Sequence, residues 1–154
     1  MTCPTAARHQ DRVDTNLRVC AHREGSAFHS AAFAGLAQRA EARAAWAIAR
    51  PCLHELFSIL THPRIYNPPT PVTCALAQIA AWLESPTLVL LTEGDRHWTT
   101  LRALVSKSRI ARPAIHDARI AALCLQHGVS ELCSADRDFG RFSALRVVHP
   151  MPTR

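Results

Sequence analysis

The sequence predicts an α/β domain whose short, mostly parallel sheet is covered by helices on both faces. Three observations predict it. Strand-sized apolar runs alternate with longer stretches of helical period. The runs are continuously apolar, as in 88–91 (Leu-Val-Leu-Leu), which is the pattern of strands buried on both faces. Proline and glycine fall at the boundaries between these segments.

The elements follow in order. Residues 1–11 read as a polar tail, expected to be poorly ordered. Residues 13–21 are a short segment of mixed period that holds a first strand. Residues 27–47 read as an Ala-rich helix with Phe28, Ala32, Leu36 and Ala40 on one stripe. Trp46 to Ala49 read as a short buried strand. Pro51 suits the first turn of a helix whose inner face is Leu53, Leu56, Phe57 and Leu60. The prolines at 63, 68, 69 and 71 then stiffen a loop. Residues 72–84 read as a helix with Leu76, Ile79, Ala80 and Leu83 inward. Residues 87–92 form the next strand. Residues 94–106 are helical, with Trp98, Leu101 and Val105 on a stripe. Pro113 opens a helix over 114–127 that Gly128 closes. Residues 131–134 are a strand, 136–142 a turn or single helical turn, and 145–148 the last strand. Residues 12–150 thus make one domain, with 151–154 as a second tail.

Composition narrows the function classes. A chain of 154 residues, 48% hydrophobic and 19% charged, has a core large enough to fold without staples and is neither disordered nor collagen-like. No apolar run approaches the ~20 residues of a membrane helix, and residues 1–10 lack a secretory h-region, which favours the cytoplasm. The net charge is +6, and Lys107 is the sole lysine among 18 basic residues. Such a distributed positive field suits a polyanion. The six cysteines form no CxxC and sit mostly in apolar runs, so they read as reduced core residues. The nine histidines show no zinc-finger spacing. Trp46, Trp82 and Trp98 read as core.

The acidic residues number only twelve, so their placement is informative. Asp14 follows a strand. Glu55 lies within an apolar helix. Asp117 stands in the first turns of the helix after Pro113, and Asp136 and Asp138 follow the strand ending at Ser134. The carboxyl ends of parallel strands form the crevice of an open sheet. Carboxylates gathered there repel one another unless a cation neutralises them, and a hard, oxygen-seeking divalent ion answers that need. Acidic groups on an arginine-rich chain therefore point to phosphodiester chemistry: arginines for the polyanion, carboxylates for the ion. Each acid also has a plain structural role open to it, as a macrodipole partner at Asp117 and as turn or N-cap residues at Asp136 and Asp138.

The stretches Asp14-Thr15-Asn16, Ala21-His22-Arg23-Glu24, His54-Glu55-Leu56-Phe57, Thr61-His62-Pro63-Arg64, His116-Asp117-Ala118-Arg119-Ile120-Ala121-Ala122-Leu123 and Ser134-Ala135-Asp136-Arg137-Asp138-Phe139 resemble, in this order, PIN-domain proteins. More narrowly, they look like the ribonuclease toxins of VapC-type toxin–antitoxin systems. The resemblance covers residues 13–150. It implies an α/β/α fold and Mg²⁺- or Mn²⁺-dependent cleavage of RNA by a metal-activated water, leaving 5′-phosphate and 3′-hydroxyl ends. It also implies an antitoxin partner and a homodimer. By position Asp14, Glu55, Asp117 and Asp136 match the family's acidic quartet, with Asp14 and Asp117 the main metal ligands and Asp138 an orienting residue.

One departure stands out. The family has an apolar run before its first Asp, and here Arg8-His9-Gln10-Asp11-Arg12-Val13 occupies that place. The segment predicts either a shortened first strand that holds Asp14 less rigidly or an N-terminus degraded relative to the family's. It also motivates a second reading, a PIN-like protein that binds RNA or antitoxin without cleaving. A third reading is a basic nucleic-acid-binding module with no catalysis.

Overall fold

In the computed structural model, residues 11–13, 45–134 and 136–148 are described. The strands are β1 (Asp11–Val13), β2 (Trp46–Ala49), β3 (Leu88–Leu91), β4 (Glu131–Cys133) and β5 (Arg146–Val148). The helices are α1 (Arg50–Leu60), α2 (Val72–Leu83), α3 (His97–Ser108) and α4 (Ala114–Gln126), with a 3₁₀ turn at Arg137–Arg141. All pairings are parallel and the strand order is β3-β2-β1-β4-β5. The chain thus builds outward from β1 to β3, then returns to the other side of β1 for β4 and β5.

Sequence explains the individual elements. Every residue of β2 is buried, as a strand covered on both faces requires. Its Trp46 indole N–H donates to Ser85 Oγ at 3.3 Å. Pro51 stands in the first turn of α1, where its missing N–H leaves no helical bond unmade. Helix α4 ends in a Schellman motif. Val129 N–H donates to the Cys124 carbonyl at 2.8 Å and Gly128 N–H to that of Leu125 at 3.2 Å. This geometry needs the left-handed φ of 70° at Gly128, which glycine adopts without a Cβ penalty. The polar segment before residue 14 does yield a short strand, three residues long, yet β1 is bonded to β2 on one side and β4 on the other.

The core lies between the sheet and α4, which buries Ala118 and all of Ile120–Cys124. A smaller cluster joins Leu56 and Leu60 of α1 to Ala75 of α2.

Four expectations are corrected. Of the residues expected inward in α2 only Ile79 packs there, beside Ala75 and Trp82, while Ala80 is exposed and Leu76 and Leu83 are exposed at 53% and 46%. The helix carries two adjacent apolar stripes, and the one facing α1 is rotated by about one residue (~100°) from the one periodicity favoured. Trp98 is not core: it is 67% exposed in the first turn of α3. Among the described cysteines Cys52, Cys124 and Cys133 are buried and outside any disulfide, in line with the reading as reduced core residues, but Cys74 is exposed. The expected helix at 27–47 loses Trp46 and Ala47 to β2, and its remaining residues lie outside those described, apart from Ala45.

Candidate active site

The site follows from the strand order. The order in which strands are added reverses between β1 and β4, and ligands of open α/β sheets bind beyond the carboxyl ends of strands at such a switch point. Val13 ends β1 opposite Cys133, which ends β4. Beyond Cys133 come the buried Ser134 and then Asp136. The side chain of Ser134 accepts a hydrogen bond from Asp136 N–H at 3.0 Å, fixing where the chain leaves the sheet. Asp136 then caps the 3₁₀ turn, its Oδ1 accepting from Asp138 N–H at 2.8 Å.

Asp117 reaches the same place from α4. It stands in the helix's first turn, where the positive end of the macrodipole favours a carboxylate. Asp117, Asp136 and Asp138 each offer a carboxylate oxygen, and these oxygens lie within 4.8 Å of one another. Asp117 and Asp136 are half-buried and Asp138 is exposed. Arg141 answers part of this negative charge, its Nη2 standing 3.1 Å from Asp138 Oδ1. An all-oxygen donor set of this spacing fits a hard divalent cation such as Mg²⁺ or Mn²⁺ and not a soft metal.

Two of the four predicted acids, Asp117 and Asp136, are therefore brought together. Asp138 joins them, which its spacing after β4 allowed but the sequence reading assigned to orientation. Glu55 is not in this cluster. It is half-buried on α1 and lines an open cleft of about 430 Å³ with His54, Ser58, His116 and Arg119. Asp14 lies outside the described residues, immediately after β1. Arg119 was not singled out from sequence. It borders this cleft and a second one beyond it, and its Nε donates to Glu93 Oε1. Its position three residues after His116 puts the two on one helix face, a relation visible in the sequence.

Comparison with known proteins shows the family. The PIN domain model matches residues 13–145, and the chain belongs to the PIN-domain family. It is 34% identical over 140 residues to the VapC ribonuclease Mb2897 of Mycobacterium bovis, spanning 90% of this chain and 94% of that protein. Within the family it is accordingly of the VapC ribonuclease type. Its fold is similar to that of Mycobacterium tuberculosis VapC20, a sarcin-ricin loop cleaving toxin, with a TM-score of 0.62 at 20% identity over 85% of this chain and 93% of the other. It is equally similar to a chain of VapBC2 from Rickettsia felis, solved bound to a promoter DNA fragment. There the TM-score is 0.62 at 15% identity over 90% and 96% of the two chains.

Proposed function

We propose that this protein is the endoribonuclease toxin of a toxin–antitoxin pair and that it hydrolyses RNA phosphodiesters with the help of Mg²⁺ or Mn²⁺. The observation that carries the reading is the convergence of Asp117, Asp136 and Asp138 at the sheet's switch point in a chain of net charge +6. Three carboxylates in one crevice would repel an RNA phosphate, and a cation between them reverses that sign.

Asp117 and, by its position after β1, Asp14 are the principal ligands, with Asp136 and Asp138 completing the set. A divalent cation held there would supply stabilisation of phosphate charge and a water acidic enough to attack at neutral pH. The chain's own groups do the rest. Glu55, apart from the cluster, accepts hydrogen bonds and orients the attacking water. Arg119 and His116 border the cleft and hold the flanking phosphates as cationic or N–H donors. Water adds to phosphorus, the bond from phosphorus to O3′ breaks, and the proton passes to the departing 3′-oxygen. The products are a 5′-phosphate and a 3′-hydroxyl.

The antitoxin partner rests on likeness to VapC ribonucleases and to VapBC2. The exposed apolar residues Val72, Leu76 and Leu83 support α2 as a protein-binding face, for antitoxin or for the second copy in a homodimer. Among the described residues no helix is long and apolar enough to cross a membrane, and we place the reaction in the cytoplasm.

Cleavage of a structured RNA pool by the purified protein tests the reading. Fragments bearing 5′-phosphates are expected with Mg²⁺ or Mn²⁺, none with EDTA, and none from a folded Asp117→Asn variant. A folded wild type that binds RNA and never cuts it would favour the non-cleaving alternative that the polar first strand raises.

A further inference from the structure

A second cavity opens on the far side of Arg119. It is about 460 Å³, within the range of small-ligand clefts, and lies between the loop after β3 and the first turns of α3. Glu93, Asp95, His97, Trp98 and Arg119 border it. Four features mark it as more than a surface fold. Trp98 leaves two-thirds of its surface in water although tryptophan is normally a largely buried residue. His97 is 8% exposed, and its Nδ1 is buried without a hydrogen-bond partner among the described residues. Asp95 is an exposed carboxylate with no hydrogen bond or ion pair among the described residues. Arg119 lines both this cavity and the cleft that holds Glu55.

An aromatic face, an acceptor beside it and a cation leading to a phosphodiester site together make the chemistry of nucleobase capture. We propose that this cavity binds one unpaired base of the RNA, flanking the bond to be cut. The base stacks on the Trp98 indole while Arg119 spans to its phosphate. The acceptor selects the base. Guanine presents two adjacent N–H donors, N1–H and N2–H, which match the two oxygens of the Asp95 carboxylate, whereas uracil presents a single one. Glu93 is engaged by Arg119, so Asp95 is the acceptor left available. This assignment rests on the ribonuclease reading, since it names the substrate preference of that site.

Tryptophan fluorescence and fluorescence anisotropy of the full chain test it directly, with Ca²⁺ in place of Mg²⁺ or Mn²⁺ to neutralise the carboxylates and with the RNA checked to be uncut. The probes are a labelled oligouridylate and the same oligomer carrying one guanosine. The guanosine oligomer is expected to quench Trp98 and to bind roughly tenfold tighter than oligouridylate, in keeping with one additional hydrogen bond to a carboxylate. Trp98→Ala should lose both the quench and the preference with an unchanged melting temperature, and Trp98→Phe should keep the preference, because phenylalanine also stacks. Asp95→Asn should bind both oligomers alike. Equal binding of the two oligomers by wild type, or a preference unchanged in Trp98→Ala, would overturn the proposal. Metal-dependent cleavage of the RNA pool by wild type, measured in parallel, separates the two readings. Cleavage without base preference sinks the pocket alone, and neither binding nor cleavage sinks the ribonuclease reading and the pocket with it.

Discussion

Helices α2 and α4 are of nearly equal length, and α2 is the more apolar of the two in composition. The fold treats them in opposite ways. Helix α4 lies against β2, α3 and the 3₁₀ turn and buries six residues. Helix α2 packs chiefly on α1 and buries Ala75 alone. Burial is thus decided by how many neighbours a helix meets, not by how apolar it is. The same burial gives α4 its function, because a helix fixed on three sides presents Asp117 to the 3₁₀ turn in one position. A helix fixed on one side is free to meet another protein.

Matched substitutions put this contrast to the test. Leu123→Ala on α4 removes a side chain with no exposed surface and should destabilise the fold by about 2–5 kcal/mol in urea denaturation. A loss no larger than that of a surface change would mean that α4 is not the packed centre. Asp117→Asn on the same helix should melt no lower than wild type in EDTA, because it relieves repulsion from Asp136 and Asp138. A clear drop in its melting temperature would argue against the clustering of those carboxylates. Leu76→Ala and Leu83→Ala on α2 should each change stability by no more than about 0.5 kcal/mol. The double variant should nonetheless weaken self-association or antitoxin binding in sedimentation. At the sheet's edge, Glu131→Gln, which breaks the 3.2 Å pair with Arg146, should likewise have a small effect, about 0.2–1 kcal/mol, diminishing with added salt.

The order and type of the described elements could be read from the sequence because strand and helix periods differ and prolines mark the boundaries. The direction in which a helix faces could not be read as well. Val72, Leu76 and Leu83 satisfy the helical period as fully as Ala75, Ile79 and Trp82 do, and only the position of α1 chooses between them. Trp98 misled for a related reason: it shares a stripe with Leu101, but the start of α3 at His97 places it at the rim. Asp117 and Asp136 were recognisable from their positions at a helix start and a strand end. The inclusion of Asp138 and the separation of Glu55 depend on the conformation of the 3₁₀ turn and the tilt of α1, which spacing along the chain does not encode. Arg119 was invisible for another reason: it is one of many arginines, and its importance comes from two cavities that meet at it.

The central place of β1 has a consequence for the timing of folding. Arg12 finds one neighbour in Ala47 and the other in Leu132, so the first strand to leave the ribosome is among the last to be completed. At ordinary elongation rates the intervening chain takes on the order of ten seconds to synthesise. Pairings so distant in sequence also form slowly once available. Asp136 and Asp138 emerge later still, after β4. The clustered carboxylates are therefore all present only after both neighbours of β1 have been synthesised.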